Sequence, residues 1–389
     1  MRLLISAALA TFAFTGCDDD DPAETADAGQ TPDGSTPAPS LTVATYNAGL
    51  ARGFVDYADQ RAALIGPAVA AIDLDIVCLQ EVWEVGDRQA IEAALRSEMP
   101  HTFSIPADAG ECMGMGCMEE ETNNLVACVE PACGELPPDM LIGCATENCG
   151  DQVNALSADC LECVGSNVGK SLDEMLAACG PEATARTCYA YEGSFGTDIV
   201  SRYPLSDTDS LVFESTLNRR AVLYAKAATD LGDVHVFCTH LTANLSMVPY
   251  RGSFASWEAE QAAQIDAMRA FIDEKAGSGQ VVVMGDFNCG PQSAGAEAEL
   301  PANFEALVEG FDPTFSNAEA PCTFCGDNPL VGGVDRDHSV LLDHVLLRGF
   351  TGKTTTSARI IDQAITLEVD GMSVDSAVSD HYGVQVEIK

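Results

Sequence analysis

The chain has 389 residues, 47% of them hydrophobic, so it can bury one large core or two smaller ones. Its 60 acidic and 19 basic residues give a net charge of −41, and so negative a surface disfavours long nucleic acids as natural partners. Residues 1–40 and 107–192 carry only about half of this excess, so the acidity is general.

The N-terminus has the pattern of an export signal over residues 1–17. One positive charge, at Arg2, precedes a short apolar run that ends at Phe14 and is too short to span a bilayer. The sequence Phe-Thr-Gly-Cys that ends at Cys17 resembles a bacterial lipobox. It predicts that Cys17 is lipidated and holds the protein at a bacterial membrane, on the periplasmic or cell-surface side. The alternative is an ordinary cleaved signal peptide with an incidental cysteine.

Residues 18–40 are predicted to be a disordered acidic linker. Four successive aspartates are followed by a stretch rich in Pro, Gly, Ser, Thr and Ala. Such a segment has too little apolar surface to fold. The folded domain is therefore expected to span residues 41–389.

Apolar alternation and helical periodicity predict many strands with helices between them. Strands are predicted at residues 41–47, 75–79, 197–200, 221–227, 234–239, 280–284, 341–347 and 383–388. Helices are predicted at residues 61–72, 88–96 and 257–275. This order predicts an α/β (α+β) domain in which two packed mixed β-sheets are flanked by helices.

A cysteine-rich repeat interrupts this series at residues 107–192. The segment holds ten of the sixteen cysteines: Cys112, Cys117, Cys128, Cys133, Cys144, Cys149, Cys160, Cys163, Cys179 and Cys188. Four of them recur at intervals of 16 residues, and the segments between them have the length of a short helix with a turn. The segment contains no histidine and the chain carries an export signal, so we expect helices stapled by disulfides rather than zinc sites.

The pairing of these ten cysteines cannot be deduced from the sequence. We expect the insertion to stabilise the fold without a role in chemistry, the alternatives being a lid or a surface that docks a partner. Cys322 and Cys325 form a separate Cys-x-x-Cys, predicted to be a local loop disulfide. Cys78, Cys238 and Cys289 lie in or beside apolar strands and are predicted to be small buried residues.

Five short motifs lie in or beside the ends of predicted strands and occur in a definite order along the chain. They are Thr45-Tyr46-Asn47, Gln80-Glu81-Val82-Trp83, Thr239-His240-Leu241, Gly285-Asp286-Phe287-Asn288 and Ser379-Asp380-His381. As an ordered set they resemble the endonuclease/exonuclease/phosphatase family, a four-layered α/β sandwich of magnesium-dependent phosphoesterases. The resemblance covers residues 41–106 and 193–389, with the cysteine repeat as an insertion. The second and third motifs are similar to the neutral sphingomyelinase-like and deoxyribonuclease-like branches.

The resemblance implies a metal site at the ends of the strands. Glu81 matches the metal-binding glutamate of the family, and Asn47 and Asp380 match residues that help to hold the metal or the phosphate. Mg²⁺ prefers such hard oxygen ligands and keeps several waters. We therefore expect Mg²⁺ as the cofactor, with Mn²⁺ as a possible substitute.

The resemblance also implies a set of catalytic residues: His240, Asp286, Asn288, Asp343 and His381. On an extended segment Asp286 and Asn288 would lie on the same side, aimed at one phosphate or at the attacking water. Asp343 matches the acid that orients His381 and fixes its tautomer. His240 is expected to protonate the leaving oxygen while His381 activates the water. Arg220 is a candidate for contact with the phosphate.

Together these features predict an exported, membrane-tethered, Mg²⁺-dependent phosphoric ester hydrolase that acts as a monomer. A phosphodiesterase of sphingomyelinase or phospholipase C type is favoured, because a negative protein repels long polyanions more strongly than small or lipid-like esters. One alternative is a secreted deoxyribonuclease-like endonuclease. Another is a catalytically silent surface binding module that has kept the fold.

Overall fold

A computed structural model describes residues 38–110, 112–186, 188–246 and 248–389. The strands in these residues are β1 (Leu41–Asn47), β2 (Ile76–Gln80), β3 (His101–Phe103), β4 (Cys112–Met113), β5 (Ala185–Arg186), β6 (Asp198–Ser201), β7 (Leu205–Val212), β8 (Ala221–Thr229), β9 (Gly232–His240), β10 (Gln280–Asp286), β11 (Asp343–Arg348), β12 (Thr355–Ile360), β13 (Ala364–Val369), β14 (Met372–Ala377) and β15 (Gly383–Ile388). The α-helices are α1 (Ala58–Ala70), α2 (Val85–Leu95), α3 (Glu119–Cys133), α4 (Leu141–Asn148), α5 (Gly150–Asn154), α6 (Ala158–Ser166), α7 (Leu172–Cys179), α8 (Trp257–Ala276) and α9 (Pro301–Val308).

Two mixed sheets form the centre of the domain. The first has six strands in the order β12-β15-β1-β2-β6-β3, and the second has five in the order β11-β10-β9-β8-β7. Each contains one parallel pair, β1 with β2 in the first sheet and β9 with β10 in the second. The parallel strands are buried on both faces, which explains their nearly continuous apolar sequences.

Helices cover the outer face of each sheet. Apolar side chains of both sheets, including Val43 and Val236, fill the space between them. Ile65 of α1 and Ile91 of α2 pack on the first sheet, whereas Ile265 of α8 packs with α9 on the second. Burying each such side chain contributes about 1.5–3 kcal/mol relative to its exposure. The predicted four-layered sandwich is therefore confirmed.

The insertion is a cluster of five short helices, α3–α7, closed at its base by the β4–β5 pair. All ten of its cysteines form disulfides, as predicted: Cys112–Cys188, Cys117–Cys160, Cys128–Cys149, Cys133–Cys144 and Cys163–Cys179. These disulfides and a few apolar side chains form two small cores. The predicted loop disulfide between Cys322 and Cys325 is also present.

Cys78 and Cys238 are buried, as predicted, but the sequence did not indicate that they pair with each other. The two form a disulfide between β2 and β9, with their Cα atoms 5.4 Å apart, that crosses the core from one sheet to the other. Both side chains face the interior of the sandwich at the same level, which is visible only once the sheets are stacked. In a chain-entropy estimate, closing so long a loop stabilises the fold by about 4–5 kcal/mol. Cys289 is buried and unpaired, as predicted.

The predicted signal peptide, the lipid anchor at Cys17 and nearly all of the predicted linker lie outside the described residues. Within residues 38–389, leaving aside the three gaps, no helix is both long and apolar enough to cross a membrane. The seven disulfides of the described residues fit an oxidising, extracytoplasmic compartment.

Candidate active site

The candidate residues meet at one edge of the two sheets. In the first sheet β1 ends at Asn47, beside the end of its parallel neighbour β2 and the start of β15. In the second sheet the parallel strands β9 and β10 end at His240 and Asp286. The antiparallel strand β11 starts at Asp343, directly opposite Asp286. Residues from distant parts of the sequence are thereby brought into a single cluster.

Asp286 is at the centre of this cluster. Its Oδ2 accepts a hydrogen bond of 2.8 Å from Asn47 Nδ2. The Nε2 atoms of His240 and His381 lie 3.5 and 3.8 Å from the same oxygen. Burial, and then the charge of Asp343, raise the pKa of Asp286 to about 7. The side chains of Asn47, His240 and His381, all predicted site residues, thus surround one oxygen of this buried carboxylate.

Asp343 orients His381. The Nδ1 atom of His381 lies 2.9 Å from Asp343 Oδ2, and both residues are buried. Burial disfavours the charged imidazole, but the carboxylates of Asp343 and Asp286 outweigh it and raise the pKa of His381 well above its ordinary value. The hydrogen bond fixes the ring with Nε2 directed toward Asp286.

His240 has the opposite electrostatic environment. Burial, followed by the charges of Arg220 and His381, holds its pKa well below the ordinary value of histidine. These surroundings favour the neutral form of His240 and the protonated form of His381. The division of labour expected from the sequence, in which His240 donates a proton and His381 accepts one, requires the reverse charges.

Glu81 and Asp380 form an acidic site next to this cluster. Glu81 Oε2 is buried without a hydrogen-bond partner, and burial, then the charge of Asp380, raise the pKa of Glu81. Gly49 has a left-handed backbone, with φ of 56°, and a Cβ atom there would lie 2.2 Å from Asp380 Oδ1. The backbone can approach Asp380 only because residue 49 is glycine. Two adjacent carboxylates with an unpaired buried oxygen fit a divalent cation.

A second group of possible metal ligands overlaps the acid–base cluster. Asp286, Asp343 and His381 each offer one ligand atom, and the three atoms lie within 4.8 Å of one another. Two of these residues, Asp343 and His381, already form a hydrogen bond through their facing atoms. The remaining atoms of these two side chains, Asp343 Oδ1 and His381 Nε2, take no part in that bond and are available beside the pair of Glu81 and Asp380.

The predicted extended segment from Asp286 to Asn288 is not present. Strand β10 ends at Asp286, and Asn288 has a left-handed backbone with φ of 50°. The amide of Asn288 donates to the carbonyl of Leu241 at 3.0 Å, and its backbone N–H donates to Asp286 Oδ1 at 2.9 Å. Asparagine tolerates this conformation better than most residues. Asn288 therefore joins the end of β10 to the residue that follows His240.

Arg220 is buried beside the acidic site. The carboxylates that act on it most strongly are those of Glu81 and Asp286, and its Nη1 has no hydrogen-bond partner. Its guanidinium carbon lies 5.8 Å from the centre of the Trp83 ring, which is itself 6.2 Å from the His240 ring. An unpaired, buried guanidinium N–H group is suited to a phosphate oxygen.

Sequence analysis missed a set of polar side chains on the first turns of α8. Buried Glu260 accepts hydrogen bonds from Thr242, from Tyr250 and from both the backbone and the hydroxyl of Thr216. Gln261 donates to the backbone carbonyls of Thr242 and Asn288. These residues fix the segments next to Arg220, His240 and Asp286. No motif indicated them, because the sequence of α8 shows only the apolar periodicity of a helix.

A buried arginine has a similar role in the first sheet. Arg61, on α1, is fully buried and donates hydrogen bonds to the backbone carbonyls of Ala48, Gly49 and Val378. These carbonyls lie just after Asn47 and just before Asp380. Arg61 therefore holds together two segments that carry the acidic site, and its isolated position in the sequence gave no sign of this.

Residues 44–381 match the model of the endonuclease/exonuclease/phosphatase family. A comparison with curated protein sequences found no match.

Several solved structures share the fold. Sphingomyelinase C from Streptomyces griseocarneus has a TM-score of 0.54 and 18% identity over 90% of this chain and 99% of its own. A beta toxin from Staphylococcus aureus with bound magnesium ions has a TM-score of 0.53 and 13% identity, covering 89% and 99% of the two chains. TDP2 from Caenorhabditis elegans has a TM-score of 0.50 and 13% identity, covering 90% and 74%. At these identities the likeness concerns the fold.

Proposed function

The chain belongs to the endonuclease/exonuclease/phosphatase family of metal-dependent phosphoesterases, and we propose that it is an exported, membrane-tethered, Mg²⁺-dependent phosphodiesterase that acts on small or lipid-like esters. The observation that carries the proposal is the position of Asp286. It contacts Asn47 from the other sheet and two histidines, next to the acidic pair of Glu81 and Asp380.

We assign the metal to Glu81, Asp380 and Asn47. The unpaired Glu81 oxygen and the neighbouring Asp380 place two carboxylates together in a largely buried site. Carboxylate and amide oxygens are ligands that Mg²⁺ and Mn²⁺ both accept. A divalent cation held there would offset the negative charge that develops on the phosphoryl oxygens during hydrolysis.

His240 and His381 are the residues that we assign to proton transfer. Their Nε2 atoms lie 3.5 and 3.8 Å from Asp286 Oδ2, so both can reach a water or a phosphate bound beside that carboxylate. One histidine takes a proton from the attacking water as its oxygen bonds to phosphorus. The other gives a proton to the leaving oxygen as the ester P–O bond breaks. Arg220 donates to a phosphate oxygen through its unpaired Nη1.

The preference for small or lipid-like phosphodiesters is supported by charge and by the rim of the site. A net charge of −41 repels long polyanions more than zwitterionic headgroups. Large apolar side chains are exposed at Phe54, Val85 and Leu245, which closely follow Asn47, Glu81 and His240 in the sequence. These side chains suit contact with a lipid surface. A structure with this fold is named sphingomyelinase C.

The proposed location is the outside of a bacterial membrane. The export signal and the lipobox-like sequence ending at Cys17 support tethering by a lipid, and the disulfides fit an oxidising compartment. Detergent partitioning of the full chain produced by a bacterial host, beside a Cys17→Ser variant, tests the anchor. The full chain should partition into detergent and the variant should not.

A substrate panel tests the enzymatic proposal. The purified protein should be assayed with Mg²⁺ on sphingomyelin and phosphatidylcholine vesicles, inositol phosphates and duplex DNA, at two salt concentrations. The proposal expects the choline lipids to be cleaved faster than DNA at both. Faster cleavage of DNA would identify a secreted deoxyribonuclease-like enzyme. Failure to hydrolyse any of them would favour a silent binding module.

A further inference from the structure

The insertion meets the active-site edge through a narrow base, which we call the neck and define as residues 107–110 and 188–193. The Cys112–Cys188 disulfide lies at the outer end of the neck. Within it, the backbone N–H of Asp108 donates to the carbonyl of Gly193 at 2.9 Å. A Cβ atom on Gly193 would lie 2.0 Å from the carbonyl oxygen of Asp108, so the two ends of the insertion are in close contact.

Tyr191 of the neck contacts the segment that carries Glu81. Its ring stacks on Trp83, with the ring centres 4.8 Å apart and the planes at 15°. Its hydroxyl donates to the carbonyl of Arg52 at 3.0 Å. Trp83 is almost fully buried and lies between Tyr191, Arg220 and His240. The stack therefore supports the wall against which Arg220 rests.

A second contact fixes the residue before Arg220. Arg219 donates to the carbonyl and the carboxylate of Asp108, at 3.0 and 2.7 Å, and its guanidinium carbon lies 4.2 Å from the centre of the Tyr189 ring. The backbone N–H of Ala190 donates to the carbonyl of Leu217 at 2.9 Å. Both segments of the neck, residues 107–110 and 188–193, thus contact the segment that leads to Arg220.

The backbone of the neck is strained where it contacts the site. Tyr191 and Glu192 both have left-handed backbones, with φ of 51° and 56°, and Gly193 follows with 73°. For residues with side chains this conformation costs of order 1–3 kcal/mol each and persists only where surrounding contacts impose it. The strain turns the Tyr191 ring onto Trp83, a contact that a purely stabilising insertion does not require.

We propose that the neck is a positioning element of the active site, through which the cysteine-rich insertion holds Trp83 and Arg220 for the phosphate of the substrate. This inference rests on the proposed function, and it replaces the expectation that the insertion only stabilises the fold. Tyr191 and Arg219 are positioning residues that act through their neighbours. The substrate phosphate is the group whose binding depends on them.

Kinetics of Tyr191 variants test this role. Hydrolysis of bis(4-nitrophenyl) phosphate in saturating Mg²⁺ should be measured for Tyr191→Ala, which removes the stack, and Tyr191→Phe, which keeps it. We expect kcat/KM of Tyr191→Ala to fall by about 10- to 100-fold, mainly through KM, as for other small displacements of a binding group. Tyr191→Phe should recover most of this loss.

Tyr203→Ala is the matched control. Tyr203 is also partly buried and also makes one hydroxyl hydrogen bond, to Asp230, but it lies at the opposite end of the sheets. Its kinetics should equal those of the wild type. Unchanged KM and kcat in a folded Tyr191→Ala variant would overturn the proposal.

A double-mutant cycle separates positioning from general destabilisation. If Tyr191 acts through Arg220, adding Tyr191→Ala to Arg220→Gln should cost little beyond Arg220→Gln alone. Fully additive losses would contradict the proposal. If Tyr191→Ala does not fold, Arg219→Gln replaces it in the same cycle, with the same expectations.

Measuring phosphate binding separately from hydrolysis distinguishes the positioning role of the neck from the proposed enzymatic function. The rise in melting temperature on adding inorganic phosphate with Mg²⁺ should be smaller in Tyr191→Ala than in the wild type and in Tyr203→Ala. A wild type that binds phosphate but hydrolyses no diester would overturn the proposed function alone. Equal shifts in all three proteins would overturn the positioning role alone.

Discussion

The side-chain amide of Asn47 donates a 2.8 Å hydrogen bond to Asp286, although the two residues are 239 positions apart and belong to different sheets. The Cys78–Cys238 disulfide joins the same two sheets, three residues before Glu81 and two before His240. The two sheets are therefore joined next to the site by a disulfide, and within the site by the hydrogen bond between Asn47 and Asp286. Its geometry depends on how the sheets are stacked.

Removing either histidine should abolish most of the activity. We expect His240→Ala and His381→Ala each to lower kcat by about 10²–10⁴-fold, the usual contribution of general acid–base catalysis. Neither change should lower the melting temperature by more than a few degrees. Steady-state kinetics with thermal denaturation check both points. Near wild-type turnover in either variant would mean that its histidine is structural.

Glu81→Gln should separate metal binding from folding. The substitution removes one of two neighbouring carboxylates in a largely buried site, so we expect the variant to be at least as stable as the wild type in EDTA. The increase in melting temperature that Mg²⁺ causes in the wild type should be lost. Glu84→Gln, on an exposed neighbour, is the control. An undiminished Mg²⁺ effect in Glu81→Gln would contradict the assignment of the metal.

Much of the site was predictable from sequence because Asn47, Glu81, His240 and Asp286 lie at or just after the ends of apolar strands. The strand pattern located β1, β2, β9 and β10, and parallel strands present their carboxyl ends at one edge. The contact between Asp343 and His381 followed from the family resemblance. By contrast, local pattern contains no information about which faces oppose each other across the core, so the Cys78–Cys238 disulfide was missed.

The peripheral strands were also missed. Strands β7 and β14 are largely polar and lack the apolar alternation of a half-buried strand, whereas β13 does alternate, with Ile365, Leu367 and Val369 on its less exposed side. The prediction of an extended backbone at Asn288 was wrong for a different reason. The alternation of Asp286, Phe287 and Asn288 predicts an extended segment, but the backbone turns after Asp286, where Asn288 bonds to the carbonyl of Leu241. A tertiary contact there overrides the local pattern.

Glu260→Gln should destabilise the protein and slow the enzyme. The buried carboxylate accepts four hydrogen bonds, and an amide nitrogen in place of one oxygen would leave donors unpaired. We expect a loss of about 1–3 kcal/mol in the free energy of unfolding. Glu258→Gln, on the exposed side of the same helical turn, should have no such effect. Urea denaturation compares the two, and equal stabilities would refute the anchoring role of Glu260.

Asp198→Asn should change how stability depends on pH. Asp198 is buried with no partner for either carboxylate oxygen, and burial, then the charge of Glu92, raise its pKa well above the ordinary value. Between the unfolded pKa of about 3.9 and this raised value, the folded state binds more protons, so stability falls as pH rises. The variant lacks this penalty and should be more stable at pH 7, with a difference that shrinks toward pH 4.

Thermal denaturation from pH 4 to pH 8 checks the Asp198 prediction. Asp233→Asn, at an exposed position, should parallel the wild type over the whole range. A constant difference between Asp198→Asn and the wild type would show that charge is not the cause.

The dependence of diester hydrolysis on Mg²⁺ tests the central claim most directly. Turnover of bis(4-nitrophenyl) phosphate by the purified protein should be measured in excess EDTA and then with increasing free Mg²⁺. We predict that EDTA abolishes turnover and that Mg²⁺ restores it along a saturation curve. Full turnover in excess EDTA, or none at any Mg²⁺ concentration, would contradict a metal-dependent phosphodiesterase site built from Glu81, Asp380 and the Asp286 cluster.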